Sequence, residues 1–139
     1  MRLFVEKRHI FVACGCDLFC YDFSGEEQYV NHCSALIQAL TTTEIKDSTE
    51  VVVGLSDLTM TRFKGVNVSF DYGKLAGEAV SMAWIGEGVL VGTQEGTVAL
   101  HEGKKSKWRA KSAHPVLQVT AHRTETDYMA VVARRDGLV

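Results

Sequence analysis

A single proline, Pro115, interrupts the 139 residues of this chain. It falls between two apolar runs, where it removes no ladder hydrogen bond, so it raises no objection to a β-rich fold. Long apolar runs are also missing. None approaches the ~20 residues of a spanning helix. The opening MRLFVEKRHIFVACG places Glu6, Lys7, Arg8 and His9 inside its apolar stretch, as a secretory leader would not. The expected location is therefore cytoplasmic. Four cysteines are too sparse for a secreted disulfide scaffold and should stay thiols in a reducing compartment. Neither charge sign dominates: the net charge of −2 gives no global argument for nucleic acid or an anionic membrane.

Catalytic signatures are absent as well. The sequence holds no G-x-S-x-G elbow and no glycine-rich phosphate loop leading into a helix. His9, His32, His101, His114 and His122 show neither H-x-x-x-H nor H-E-x-x-H spacing. Neither an enzyme nor a cofactor is expected. What remains is a composition of 46% hydrophobic and 23% charged residues, that of one soluble globular domain. A chain of this size buries about two-thirds of the surface its unfolded form exposes, so it can fold without a metal or disulfide staple.

The pattern that is present is short and alternating. EVVVGLS, LTMTRF, AVSMAWI, GVLVGTQ, TVALHEG, VLQVTAH and YMAVVARR are of strand length, rich in β-branched residues and separated by Gly, Asp, Ser and Lys. CSALIQALTTTEI begins in a way that also suits a short helix, but its threonine tail favours strand then loop. A repeat organises these strands. FVACGCDLFCYDFSG over VVVGLSDLTMTRFKG matches Asp17 to Asp57, Leu18 to Leu58, Phe23 to Phe63 and Gly25 to Gly65, all forty apart. VLVGTQEGTVALHEG follows, with Gly92 and Gly103 thirty-eight after Gly54 and Gly65. MAVVARRDGLV then places Ala133 and Gly137 forty-one after Gly92 and Gly96.

Four antiparallel strands per ~40 residues make a β-propeller blade. The expected fold is all-β, about three to four antiparallel four-stranded blades forming a partial propeller, with repeat units near 1–32, 33–74, 75–113 and 114–139. A small closed barrel of the same strands is the structural alternative. Propellers have four to eight blades, so open strand edges are expected at both ends, and an open edge pairs with another strand. Other protein subunits or a second copy would close the ring.

The blades resemble the WD40 class, in which an Asp in the turn between second and third strands bonds a His before the first strand. Asp17, Asp57, Glu95 and Asp136 take the turn position, and His32 and His114 precede SALIQAL and VLQVTAH. Arg62-Phe63 and Leu100-His101 stand where the Trp-Asp pair of that class would end the third strand. A narrower resemblance rests on EVVVGLSDLTMTRFKG and on VLVGTQEGTVALHEGKKSKWRAKSAHPVLQV, with its cluster of Trp108-Arg109, Lys111-Ser112 and His114. These stretches are similar to the propeller of the Bardet–Biedl syndrome protein 2 family, a subunit of the ciliary BBSome coat, over roughly residues 30 to 125. That resemblance implies a scaffold in membrane-protein traffic to cilia, without catalysis or cofactor. It places the protein at the cilium or basal body, touching membrane only indirectly through the coat.

Two local features invite chemistry. Cys14, Cys16 and Cys20, with Cys33 or His9, supply enough ligands for tetrahedral zinc, which makes a small zinc- or ligand-binding β domain the alternative function. The repeat opposes it: Cys14 aligns with Gly54 and Gly92, Cys16 with Ser56 and Gln94, and Cys20 with Met60 and Val98. The cysteines then read as buried small hydrophobes. The second feature is GKKSKWRAK, residues 103–111, where Lys104, Lys105, Lys107, Arg109 and Lys111 surround Trp108. Such a run suits contact with an acidic partner, a phosphoinositide or single-stranded nucleic acid through charge plus stacking, or else a solvated turn and edge strand whose lysines discourage pairing, which is the favoured reading. No nucleic-acid partner is expected.

Overall fold

Each apolar run becomes an antiparallel strand, because β-branched residues pack well on a pleated surface and the polar residues between them can turn. A computed structural model describes residues 9–43, 50–86, 88–111, 114–123 and 128–134, the side chains of 108, 122, 123, 128–130 and 134 excepted. The first sheet holds β1 (His9–Cys14), β2 (Asp17–Asp22) and β3 (Glu27–His32). The second runs β4 (Ile37–Thr42), β5 (Val51–Leu55), β6 (Thr59–Lys64) and β7 (Asn67–Lys74). The third runs β8 (Ala79–Ile85), β9 (Gly88–Thr93), β10 (Thr97–His101) and β11 (Ser106–Lys111). β12 (Val116–Arg123) and β13 (Tyr128–Arg134) form the last. Every pairing joins strands adjacent in sequence, and no helix occurs among the described residues.

The apolar core is divided among the junctions between successive sheets. Leu18 meets Val51, Val53 and Leu55 at the first junction. Val52, Met60 and Tyr72 meet Met82, Trp84, Val89 and Val91 at the second. Leu90 and Val98 meet Val116 and Val119 at the third. Strand periodicity explains this division, since alternate side chains point to opposite faces. In β5 the odd-numbered residues face the first sheet and Val52 the third, so the whole strand is buried.

The glycines of the repeat mark where sheets approach most closely. A Cβ on Gly54 would sit 3.1 Å from Ala79 Cβ, and one on Gly92 only 2.5 Å from Val116 Cγ1. Both lie on the second strand of their sheet and face the first strand of the next. The ladders assign their counterpart in the first sheet: Ala13 pairs Leu18 as Gly54 pairs Met60 and Gly92 pairs Val98. This corrects the sequence alignment of Cys14 with Gly54. The β1–β2 turn consists of Gly15 and Cys16 alone, whereas the next two turns use Ser56, Asp57 and Leu58, then Gln94, Glu95 and Gly96. Leu58 has φ 72°, the left-handed conformation that Gly96 adopts at 92°.

The innermost strands surround a common cavity of about 680 Å³ lined by residues 9–11, 40–42, 81–84 and 118–121. Ser81 ties two of these strands, its Oγ accepting from Val119 N at 3.0 Å. Near the outer rim, Asn31 Nδ2 donates to Gly65 O at 2.8 Å and joins the first sheet to the second.

Candidate interaction site

The turn residues fall into two groups. Asp57 and Glu95 occupy the middle of their turns, while Asp17 is the first residue of β2. Asp57 Oδ1 accepts from Thr59 N at 3.1 Å and Thr59 Oγ1 at 2.5 Å, and these bonds hold its carboxyl below the usual carboxylate range. The Glu95 carboxylate lies beside Gly77, in the space a Cβ there would fill. Asp17 Oδ1 meets His32 Nδ1 at 2.6 Å across the β2–β3 ladder. His32 thus pairs with a carboxylate of its own sheet. His114 is exposed just before Pro115 and β12, and Asp136 lies outside the described residues.

The four cysteines separate. Cys14 is exposed, Cys16 and Cys33 are half-buried, and Cys20 is buried. The reading of Cys14, Cys16 and Cys20 as buried small hydrophobes therefore holds for Cys20 and is corrected for the other two, because the ladder gives the Gly54 position to Ala13 and leaves Cys14 at the strand end and Cys16 in the turn. Cys14 sits opposite Asp17 and Cys20 opposite Phe11, three rungs along the hairpin. At ~3.3 Å per residue that is roughly 10 Å, beyond any shared metal ion. No group of three or more His, Cys, Asp or Glu gathers around one point among the described residues. Burial pushes the Cys20 and Cys33 thiols up, away from the thiolate that zinc requires.

The basic run occupies the turn after β10 and the outer strand β11. Lys104, Lys105, Lys107, Arg109 and Lys111 are all exposed, and Lys107 Nζ pairs with Glu102 Oε1 at 3.1 Å. The Trp108 side chain lies outside the described residues. Beside this run is a cavity of about 410 Å³ between the end of the second sheet and the face of the third. Lys104, Lys105 and Arg109 form one wall and Lys74 another, with Leu75, Val91 and Ala99 as apolar lining. His101, in the same lining, is 8% exposed, and its Nδ1 finds no hydrogen-bond partner. Burial first, and then the nearby Arg109, push its pKa below the usual histidine value.

Sequence reasoning missed Lys74 and His101, because the first comes from another repeat and the second replaces the Asp of a Trp-Asp pair. It also missed the surroundings of Arg62. That guanidinium lies 5.5 Å from the centre of the Phe70 ring, 5.9 Å from Tyr72 and 5.8 Å from Trp84. Its Nε is 3.5 Å from the buried Glu50 carboxylate. Arg62 thus packs at the place a WD40 blade gives to tryptophan, and an arginine stacked on aromatics with a carboxylate partner can be buried there.

Successive antiparallel sheets, joined by apolar junctions around a central cavity, define the class of β-propellers. Residues 39–139 match the family described as ciliary BBSome complex subunit 2, middle region, and the chain belongs to that family. Two crystal structures of BBS1N in complex with ARL6DN share the fold, one soaked with lead and one with mercury, each with a TM-score of 0.78 and 12% identity. The match covers 91% of this chain and 41% of the first, 92% and 44% for the second. The chain therefore spans about two-fifths of those neighbours. No curated protein matches it.

Proposed function

We propose that this chain is a non-enzymatic scaffold, a propeller segment through which a BBSome-like coat assembles for membrane-protein traffic to cilia. The observation that carries this reading is the family match over residues 39–139. The geometry supports it, because β1 and β13 are edge strands among the described residues and unpaired edges invite a strand or subunit. Partners are other protein subunits or a second copy, and contact with membrane is indirect, through the coat. The repeat units near 1–32, 33–74, 75–113 and 114–139 serve as the blades. The Asp17–His32 pair braces the first blade, Asp57 and Glu95 shape their turns, and the basic run from Lys104 to Lys111 faces a partner. The expected setting is cytoplasm at the cilium or basal body.

Solution mass by light scattering, with metal content on the same sample, tests the reading. The expected result is a metal-free assembly larger than 15.3 kDa, or a stoichiometric complex when a partner subunit is added. A monomer carrying one zinc and indifferent to partner subunits overturns it.

A further inference from the structure

The cavity between the second and third sheets gathers positive charge from both of its sides, although Lys74 also lies near the Asp57 carboxylate outside the lining. Lys74, Lys104, Lys105 and Arg109 line it, and among the described residues no carboxylate does. Lys107 of the same run is paired with Glu102 and stays out of the lining. Cations held together on low-dielectric walls raise the local positive potential and attract anions. His101 adds an unsatisfied polar atom to a lining that also holds Thr93, Thr97 and Ser106, and such a buried atom normally finds a partner.

We propose that this cavity seats an acidic segment of a partner protein, with two or more Asp or Glu side chains entering between Lys74 and Arg109. The proposal rests on the scaffold reading and names the chemistry of one partner surface. Charge complementarity is its first support: the cations stand on walls from two different sheets, so an extended segment with successive carboxylates meets both. The apolar lining is its second support. Leu75, Val91 and Ala99 offer a surface for the methylene stems of glutamates, which an isolated phosphate would leave unused. The volume of about 410 Å³ admits a few side chains, within the ~300–1,000 Å³ of small-ligand sites.

The test is binding of a fluorescein-labelled hexaglutamate peptide to the chain, followed by anisotropy at low salt. Lys74→Glu and Lys105→Glu are each expected to weaken binding by about tenfold, and Lys107→Glu by less than about twofold. All three lysines are exposed, so the variants should keep the parent's thermal unfolding, checked on the same samples. An equal loss in Lys107→Glu overturns the proposal in favour of a diffuse basic patch. Full displacement of the peptide by equimolar inorganic phosphate overturns it in favour of a phosphate site. Solution mass separates the two readings: peptide binding unaffected by Lys74→Glu in a chain that still assembles sinks the cavity alone. A monomer that binds the peptide but joins no subunit sinks the scaffold alone.

Discussion

His32 Nδ1 lies 2.6 Å from Asp17 Oδ1, directly across the β2–β3 ladder, and both side chains remain in contact with solvent, 77% and 39% exposed. The short distance suggests a strong link, yet water competes for both groups and screens any charge between them. Asp17→Asn is therefore expected to lower stability by at most ~1 kcal/mol. Urea unfolding of the two proteins checks this, and a larger drop would mean that the pair supports more of the fold than its exposure implies.

The closest approach between sheets sets a harder limit. Gly92→Val puts a branched side chain where even a Cβ would lie 2.5 Å from Val116 Cγ1 and 3.1 Å from Val119 Cγ1. The third and fourth sheets must separate, at an expected cost of about 1–3 kcal/mol. Gly103→Ala is the control, because a Cβ there meets nothing within 4 Å. Thermal unfolding of both variants should show a clear drop for the first and almost none for the second.

Arg62 holds a charge beside Glu50 and stacks among three aromatic rings. Arg62→Met keeps much of the volume but removes the guanidinium that lies 3.5 Å from the Glu50 carboxylate, which is 6% exposed. Removing one member of a buried pair costs ~3 kcal/mol or more. Arg62→Lys keeps the charge and loses the planar stack, so its loss should be smaller but measurable. Unfolding midpoints rank the three proteins, and equal stability of Arg62→Met and the parent would remove the pair from the core.

Acid should weaken the fold through His101. An unfolded histidine takes up its proton near pH 6.5, whereas burial and Arg109 hold the folded ring neutral to lower pH. The unfolded state then binds more protons below about pH 6.5, and stability falls as pH drops through that interval. Above it the ring is neutral in both states and contributes no slope. Urea midpoints from pH 7.5 down to 5.5 should decline in the parent. His101→Leu, which has no proton to gain, should flatten that decline.

The repeat was legible in the sequence wherever a packing demand forces the same residue type. Gly54 and Gly92 recur because the next sheet's first strand leaves no room for a side chain, and the strands between them alternate as buried faces require. The register of the first repeat was not legible. Leu58 adopts a positive φ that gives its type no mark in the sequence, so the three-residue turn through Asp57 looked equivalent to the two-residue turn before Asp17. That small difference moved Cys14 from a buried position to an exposed one. The basic run was visible as a run, but its cavity was not, because Lys74 reaches it from another sheet.

Dividing the core into three junctions gives the molecule a linear order of cooperativity. Each inner sheet is held by two neighbours, whereas the first and last are held by one among the described residues. Opening should then spread inward from the outer sheets, as in other arrays whose units stabilise one another pairwise. A partner that covers an outer sheet would slow hydrogen exchange well beyond its own footprint, because it would anchor the end from which the array unzips.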